Sequence, residues 1–68
     1  MQIRQQREDM SKESAILEAA TRSFLRKGFS GVSMEEIARE SNVAKQTLYS
    51  YFKGKDDLFH AIIRAQSD

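Results

Sequence analysis

The sequence predicts an all-α fold, with three helices packed as a helix-turn-helix domain plus the start of a fourth connecting helix. Three observations carry that prediction. Apolar residues recur at helical spacing from Ile16 to Phe24 and again from Leu58 to Ile63. Ser33 opens a helix with a full start signal, in which Ser33 and Glu36 form a capping box and Val32 and Ile37 stand at the staple positions. Gly28 and Asn42 sit where helices must stop and the backbone must turn to positive φ.

A length of 68 residues bounds the chain to one small domain whose core must be shared by every element. The absence of cysteine excludes a disulfide framework and a thiolate metal site, and a cytoplasmic home fits such a composition. No apolar run approaches the roughly 20 residues that span a bilayer, and no signal-peptide order is present. The net charge is only +1, yet its distribution is uneven. From Ala44 to Gly54 there are two lysines and no acid, whereas Ser33 to Ser41 holds Glu35, Glu36 and Glu40 against Arg39. Such a split aims a field at one face of a nearly neutral molecule.

In chain order, residues 1–10 lack an apolar period and are expected to form a flexible arm, with Arg4 and Arg7 solvated; residues 11–68 form the domain. The first helix is predicted over Lys12 to Lys27, with Ser11 as N-cap and Gly28 as its left-handed stop. Ile16, Leu17, Ala20, Phe24 and Leu25 are assigned to its core face. Arg22, Arg26 and Lys27 complement the negative end of the helix dipole. Phe29, between two glycines, is expected to plug the gap to the next element. Met34, Ile37 and Ala38 then supply the buried stripe of a second helix, and Val43 points back into the core after the Asn42 stop.

The third helix, Lys45 to Phe52, turns Leu48 and Phe52 inward and leaves Lys45, Gln46, Thr47, Tyr49, Ser50 and Tyr51 outward. That outward set is rich in hydrogen-bond donors and free of acid. The fourth helix starts at Lys55 after Gly54, with Asp56 and Asp57 in its positive first turn. Leu58, Phe59, Ile62 and Ile63 give it two apolar ridges, more than a three-helix core needs, so part of it is expected to cover or continue into something else. Phe24, Phe29, Leu48, Phe52 and Phe59 are all assigned to the core.

The stretch GFSGVSMEEIARESNVAKQTLYSYFKGKDDLF resembles the N-terminal DNA-binding domain of TetR-family transcriptional repressors. Its apolar spacing, IA pair, TLYxYF run and following lysine occur in the family's order, and the resemblance covers about residues 12 to 65. It implies a recognition helix with Lys45, Gln46 and Thr47 facing base edges in the major groove of double-stranded DNA. It also implies that Tyr49 and Tyr51 pack on the sugar-phosphate wall, and that Lys55 and Ser33 contact phosphates. Carried further, it implies a larger C-terminal region, absent here, that forms a homodimer and binds a small-molecule effector, so that the chain is a fragment of a bacterial, nucleoid-associated repressor. Two positions depart from the family pattern: Asn42 stands where Gly is common, and Ala44 where a capping Ser is common. Both the stop and the restart are therefore weaker, a missing cap costing about 1 kcal/mol.

No nucleophile with a base, no glycine-rich phosphate loop and no pocketed carboxylate pair is legible, so no enzyme activity, cofactor or membrane association is expected. His60 is the only histidine and has no second ligand near it in sequence, which argues against a metal site. The alternative function is a small helical protein-protein interaction module, docking through the face from Lys45 to Tyr51 and the ridges of the last helix.

Overall fold

The computed structural model describes the backbone of residues 3–67 and the side chains of residues 12–66. Four helices make up the fold among these residues: α1 (Ile3–Lys27), α2 (Met34–Ser41), α3 (Lys45–Tyr51) and α4 (Lys55–Ser67). No strand is present among them, so the all-α expectation holds.

The start of α1 differs from expectation. The helix begins at Ile3 and runs through Ser11, so from residue 3 onward the stretch assigned to a flexible arm is helical and Ser11 lies within the helix rather than at its start. The composition argument weighed burial alone. Residues 3–10 contain good straight-chain helix formers and no Gly or Pro, and extending an existing helix avoids the cost of nucleating one. The expectations for residues 1, 2 and 68 lie outside the described residues.

Within α1, Ile16 and Ala20 are buried, and Leu17 and Phe24 pack against the core from its edge. Leu25 does not join them, being 83% exposed. Nine steps of about 100° carry it to the side of the helix opposite Ile16. Ala19 and Ser23 occupy the buried face instead, and the Ser23 hydroxyl lies there with no hydrogen-bond partner among the described residues. The helix stops as expected: Gly28 adopts φ +83°, and its amide donates to the Phe24 carbonyl at 2.8 Å. Gly31 is fixed by a different constraint, because a Cβ there would stand 2.6 Å from the Lys27 carbonyl oxygen.

The core joins Ile16 and Ala20 of α1, Val32, Met34, Ile37 and Ala38 around α2, Leu48 and Phe52 of the third element, and Leu58 of α4. Both staple residues, Val32 and Ile37, are part of it. Ser33 caps α2 by accepting the Glu36 amide at 3.1 Å, but the Glu36 carboxylate pairs with Lys27 of α1. The capping box is thus half realised, and its acid ties two helices together.

Phe29 and Phe59 depart from the core assignment. They are 38% and 42% exposed, and with Phe24 they form an aromatic triangle at the surface, ring centroids 5.4 to 6.4 Å apart. Rings at these separations still attract through edge and face contacts, so the cluster fastens the α1 end to α4 without being enclosed.

Leu48→Ala removes a fully buried side chain and is expected to cost about 2–5 kcal/mol, whereas Leu25→Ala is expected to stay within about 0.5 kcal/mol of the parent. Urea denaturation of the two variants checks both values.

Candidate nucleic-acid interface

The α2–α3 connection sets the geometry of the exposed face. Asn42 takes the left-handed conformation, φ 63° and ψ 39°. Its amide donates to the Arg39 carbonyl at 3.2 Å, while the Val43 amide reaches the Ala38 carbonyl at 3.0 Å. This is the paired 5→2 and 6→1 closure of a Schellman stop, completed by Asn in place of Gly. The Ser41 hydroxyl adds a bond to the Ile37 carbonyl at 2.7 Å. The stop is consequently better satisfied than the residue type at 42 suggested.

The restart is as weak as the sequence implied. Ala44 is extended at the N-cap of α3 and supplies no side-chain bond, and α3 is only seven residues long. Its underside is held by Leu48, fully buried, and by Phe52, whose amide closes the helix on the Leu48 carbonyl at 2.9 Å. The third helix therefore ends at Tyr51, with Phe52 as its C-cap.

On the other side, Lys45, Gln46, Tyr49 and Ser50 are exposed and Thr47 is half-buried at the edge. Gln46 and Ser50, one turn apart, mark the middle of this face. Tyr51 is not beside Tyr49. Two positions along a helix are about 200° apart, and Tyr51 turns toward the core edge, its ring 6.3 Å from that of Phe52. It lines a groove with Leu17, Ala61 and Arg64 and stays half-buried.

Ser33 lies at the exposed N-terminus of α2, where its hydroxyl is engaged in capping. Lys55 begins α4 and is anchored: its ammonium donates to the Phe29 carbonyl at 2.7 Å and stands 4.6 Å from the centre of the Phe29 ring. An ammonium has three donors, so this anchoring leaves it able to take a further acceptor. The Lys53 amide donates to Asp57 at 2.9 Å, and Asp57 thereby closes the turn into α4.

The acidic and basic helices prove to be coupled rather than separated. Lys45 Nζ donates to Glu35 Oε2 at 2.8 Å across the turn, and Lys27 donates to Glu36. The Lys45 bond, followed by its charge, holds the Glu35 carboxyl below the usual carboxylate range, and the Lys45 ammonium is raised in return. Lys27 lowers Glu36 in the same way. Sequence reasoning missed both pairs because each links different helices, ten and nine residues apart, beyond the reach of helical periodicity. Among the described residues no cluster of three His, Cys, Asp or Glu is placed to hold a metal ion. No described helix is long and apolar enough to cross a membrane.

With this geometry, the sequence model of the bacterial regulatory proteins of the tetR family matches residues 16–62, a span running from the core of α1 through both helices of the turn into α4. The chain belongs to the TetR family. Its TetR-family relatives include the uncharacterized HTH-type transcriptional regulator YhgD of Bacillus subtilis, 42% identical over 53 residues that cover 78% of this chain and 28% of that protein. The HTH-type transcriptional repressor SCO4008 of Streptomyces coelicolor is 33% identical over 57 residues, 84% of this chain and 30% of that one. Among solved structures, a TetR-family transcriptional regulator from Mesorhizobium loti superimposes with a TM-score of 0.77 at 42% identity, covering 81% of this chain and 27% of its own. The chain thus spans less than a third of the length of each. These relatives are transcriptional regulators.

The two carboxylates make a pH prediction. Their native pKa values are depressed, so each pair contributes stability fully above the ordinary carboxylate value of about 4.3 and loses it as pH falls through the lowered native value. An NMR titration of the glutamate side chains is expected to place Glu35 and Glu36 below the ordinary carboxylate value of about 4.3. In Lys45→Gln the Glu35 midpoint rises and that of Glu36 stays.

Proposed function

We propose that the chain binds double-stranded DNA in a sequence-specific manner, with α3 as the recognition helix in the major groove, as the DNA-binding part of a TetR-type transcriptional repressor. The observation that carries this reading is the exposed side of α3, where Lys45, Gln46, Thr47 and Tyr49 offer donors with no acid among them, over an underside locked by Leu48. Gln and Lys match the acceptor and donor edges that bases present in the major groove. Lys45, Gln46 and Thr47 take the base-facing roles. Tyr49, Lys55 and the Ser33 end of α2 take phosphate, which fixes register but reads no sequence. Tyr51, half-buried at the edge of the same helix, joins Tyr49 against the sugar-phosphate wall. The repressor role follows the Streptomyces relative. A homodimer formed by a longer chain would place two such helices on half-sites about one DNA turn apart, and an effector-binding region would lie in that same additional length.

A second reading, docking of another protein, has its own observation in exposed Leu25, Phe29, Phe59 and Ile63. Salt separates the two. Each phosphate contact adds about −0.9 to the log-log salt slope of DNA binding, while an apolar interface depends on salt only weakly. Selection of bound duplexes from a random pool at low salt, followed by a salt series, is expected to return a short enriched half-site and a slope of several units. Tyr49→Ala should weaken selected and unrelated duplexes alike, whereas Gln46→Ala should cost about 1–3 kcal/mol on the preferred base pair alone. A folded chain that binds no duplex at low salt would overturn the reading.

A further inference from the structure

We propose that Glu35 is a specificity-determining residue: it holds the Lys45 ammonium against α2, so that Lys45 adds little to indiscriminate phosphate binding and is released only where a base edge supplies acceptors in its place. The proposal rests on the DNA-binding reading and extends it to the helix that reads no bases.

The geometry is specific to this pair. Glu35 lies in the first turn of α2 and Lys45 is the first residue of α3, so their 2.8 Å bond spans the Asn42 turn and joins the two helices at the edge of the exposed face. The neighbouring acid, Glu36, is turned the other way onto Lys27 of α1. Both partners of the Glu35–Lys45 pair keep more than half of their side-chain surface in solvent. A pair so hydrated adds little to fold stability; the positive first turn of α2 favours an acid at this position, and the bond to Lys45 directs that acid toward α3.

The consequence for binding follows from charge accounting. A lysine held by Glu35 neutralises no phosphate and so displaces none of the cations condensed on DNA, and moving it to a phosphate exchanges one oxyanion for another and leaves Glu35 unpaired beside the duplex. On unrelated sequence the exchange therefore gains little. On a guanine, N7 and O6 present two acceptors in a fixed arrangement beside the other base contacts of α3, and there the exchange is favourable. Glu35 thus lowers non-specific affinity more than specific affinity, which raises the ratio between them.

The test compares the parent 68-residue chain with Glu35→Gln, Lys45→Gln and the double variant, each on its selected duplex and on an unrelated duplex across a salt series. Glu35→Gln is expected to leave the thermal midpoint unchanged and to strengthen unrelated binding roughly three- to tenfold at low salt. It should steepen that salt slope by about 0.9, and lower the ratio of selected to unrelated affinity. In the Lys45→Gln background the same change should add nothing to the slope. An unchanged slope and ratio in Glu35→Gln, with a parent that binds, would overturn the role of Glu35 and leave the DNA-binding reading standing. An equal gain with and without Lys45 would overturn it too, since Glu35 would then act only as a repelling surface charge. Failure of the folded parent to bind any duplex would overturn the underlying reading, and this proposal with it.

Discussion

Everything on the exposed face of this domain depends on Leu48. A helix of seven residues without a side-chain cap is far too short to persist alone in water, because nucleation is costly and few bonds follow it. α3 exists because its one fully buried side chain enters a core already formed by Ile16, Ile37 and Leu58. The Asn42 turn delivers α3 to that seat at a fixed angle, and the Phe52 cap ends it there. Packing below and turn closure ahead therefore do what local propensity cannot. The donors above are positioned as a by-product.

Much of this was legible in the sequence, and the reasons are physical. The Gly28 and Asn42 stops, the Ser33 cap, the Val32 and Ile37 staple and the Leu48 anchor are local signals, each set within a few residues of chain. What was missed depends on angle or on distance across the fold. Leu25 satisfied an apolar count but not the rotation of the helix. Phe29 and Phe59 were placed inside on the ground that a small domain needs its aromatics buried, whereas three rings stacked edge to face hold together at the surface. Residues 3–10 were judged by burial, while helix extension decided their backbone. The ion pairs of Glu35 and Glu36 had no local signature at all.

Those pairs change how the near-neutral charge is understood. A count of lysines and acids suggested one cationic helix beside one acidic helix, each projecting its own field. In the folded chain Glu35 and Glu36 of α2 are turned onto lysines of its two neighbours, so the cationic edge is restrained by the helix that supports it. Lys55 is restrained differently, by a backbone carbonyl and an aromatic face, which fix its position. A domain arranged in this way holds a fixed ammonium at the start of α4, next to Asp56 and Asp57, and conditional charge at the start of α3. Anchoring contacts and reading contacts are thereby assigned to different electrostatic environments.

The most direct test of the account is residue-level mapping of where DNA touches the folded chain, by amide and side-chain NMR shifts on titration with a selected duplex. The account predicts that the largest changes cluster at Ser33, Gln46, Thr47, Tyr49 and Lys55, with the exposed apolar residues Leu25 of α1 and Phe59 and Ile63 of α4 unmoved. Changes centred on those apolar residues, with the α3 donors silent, would contradict it.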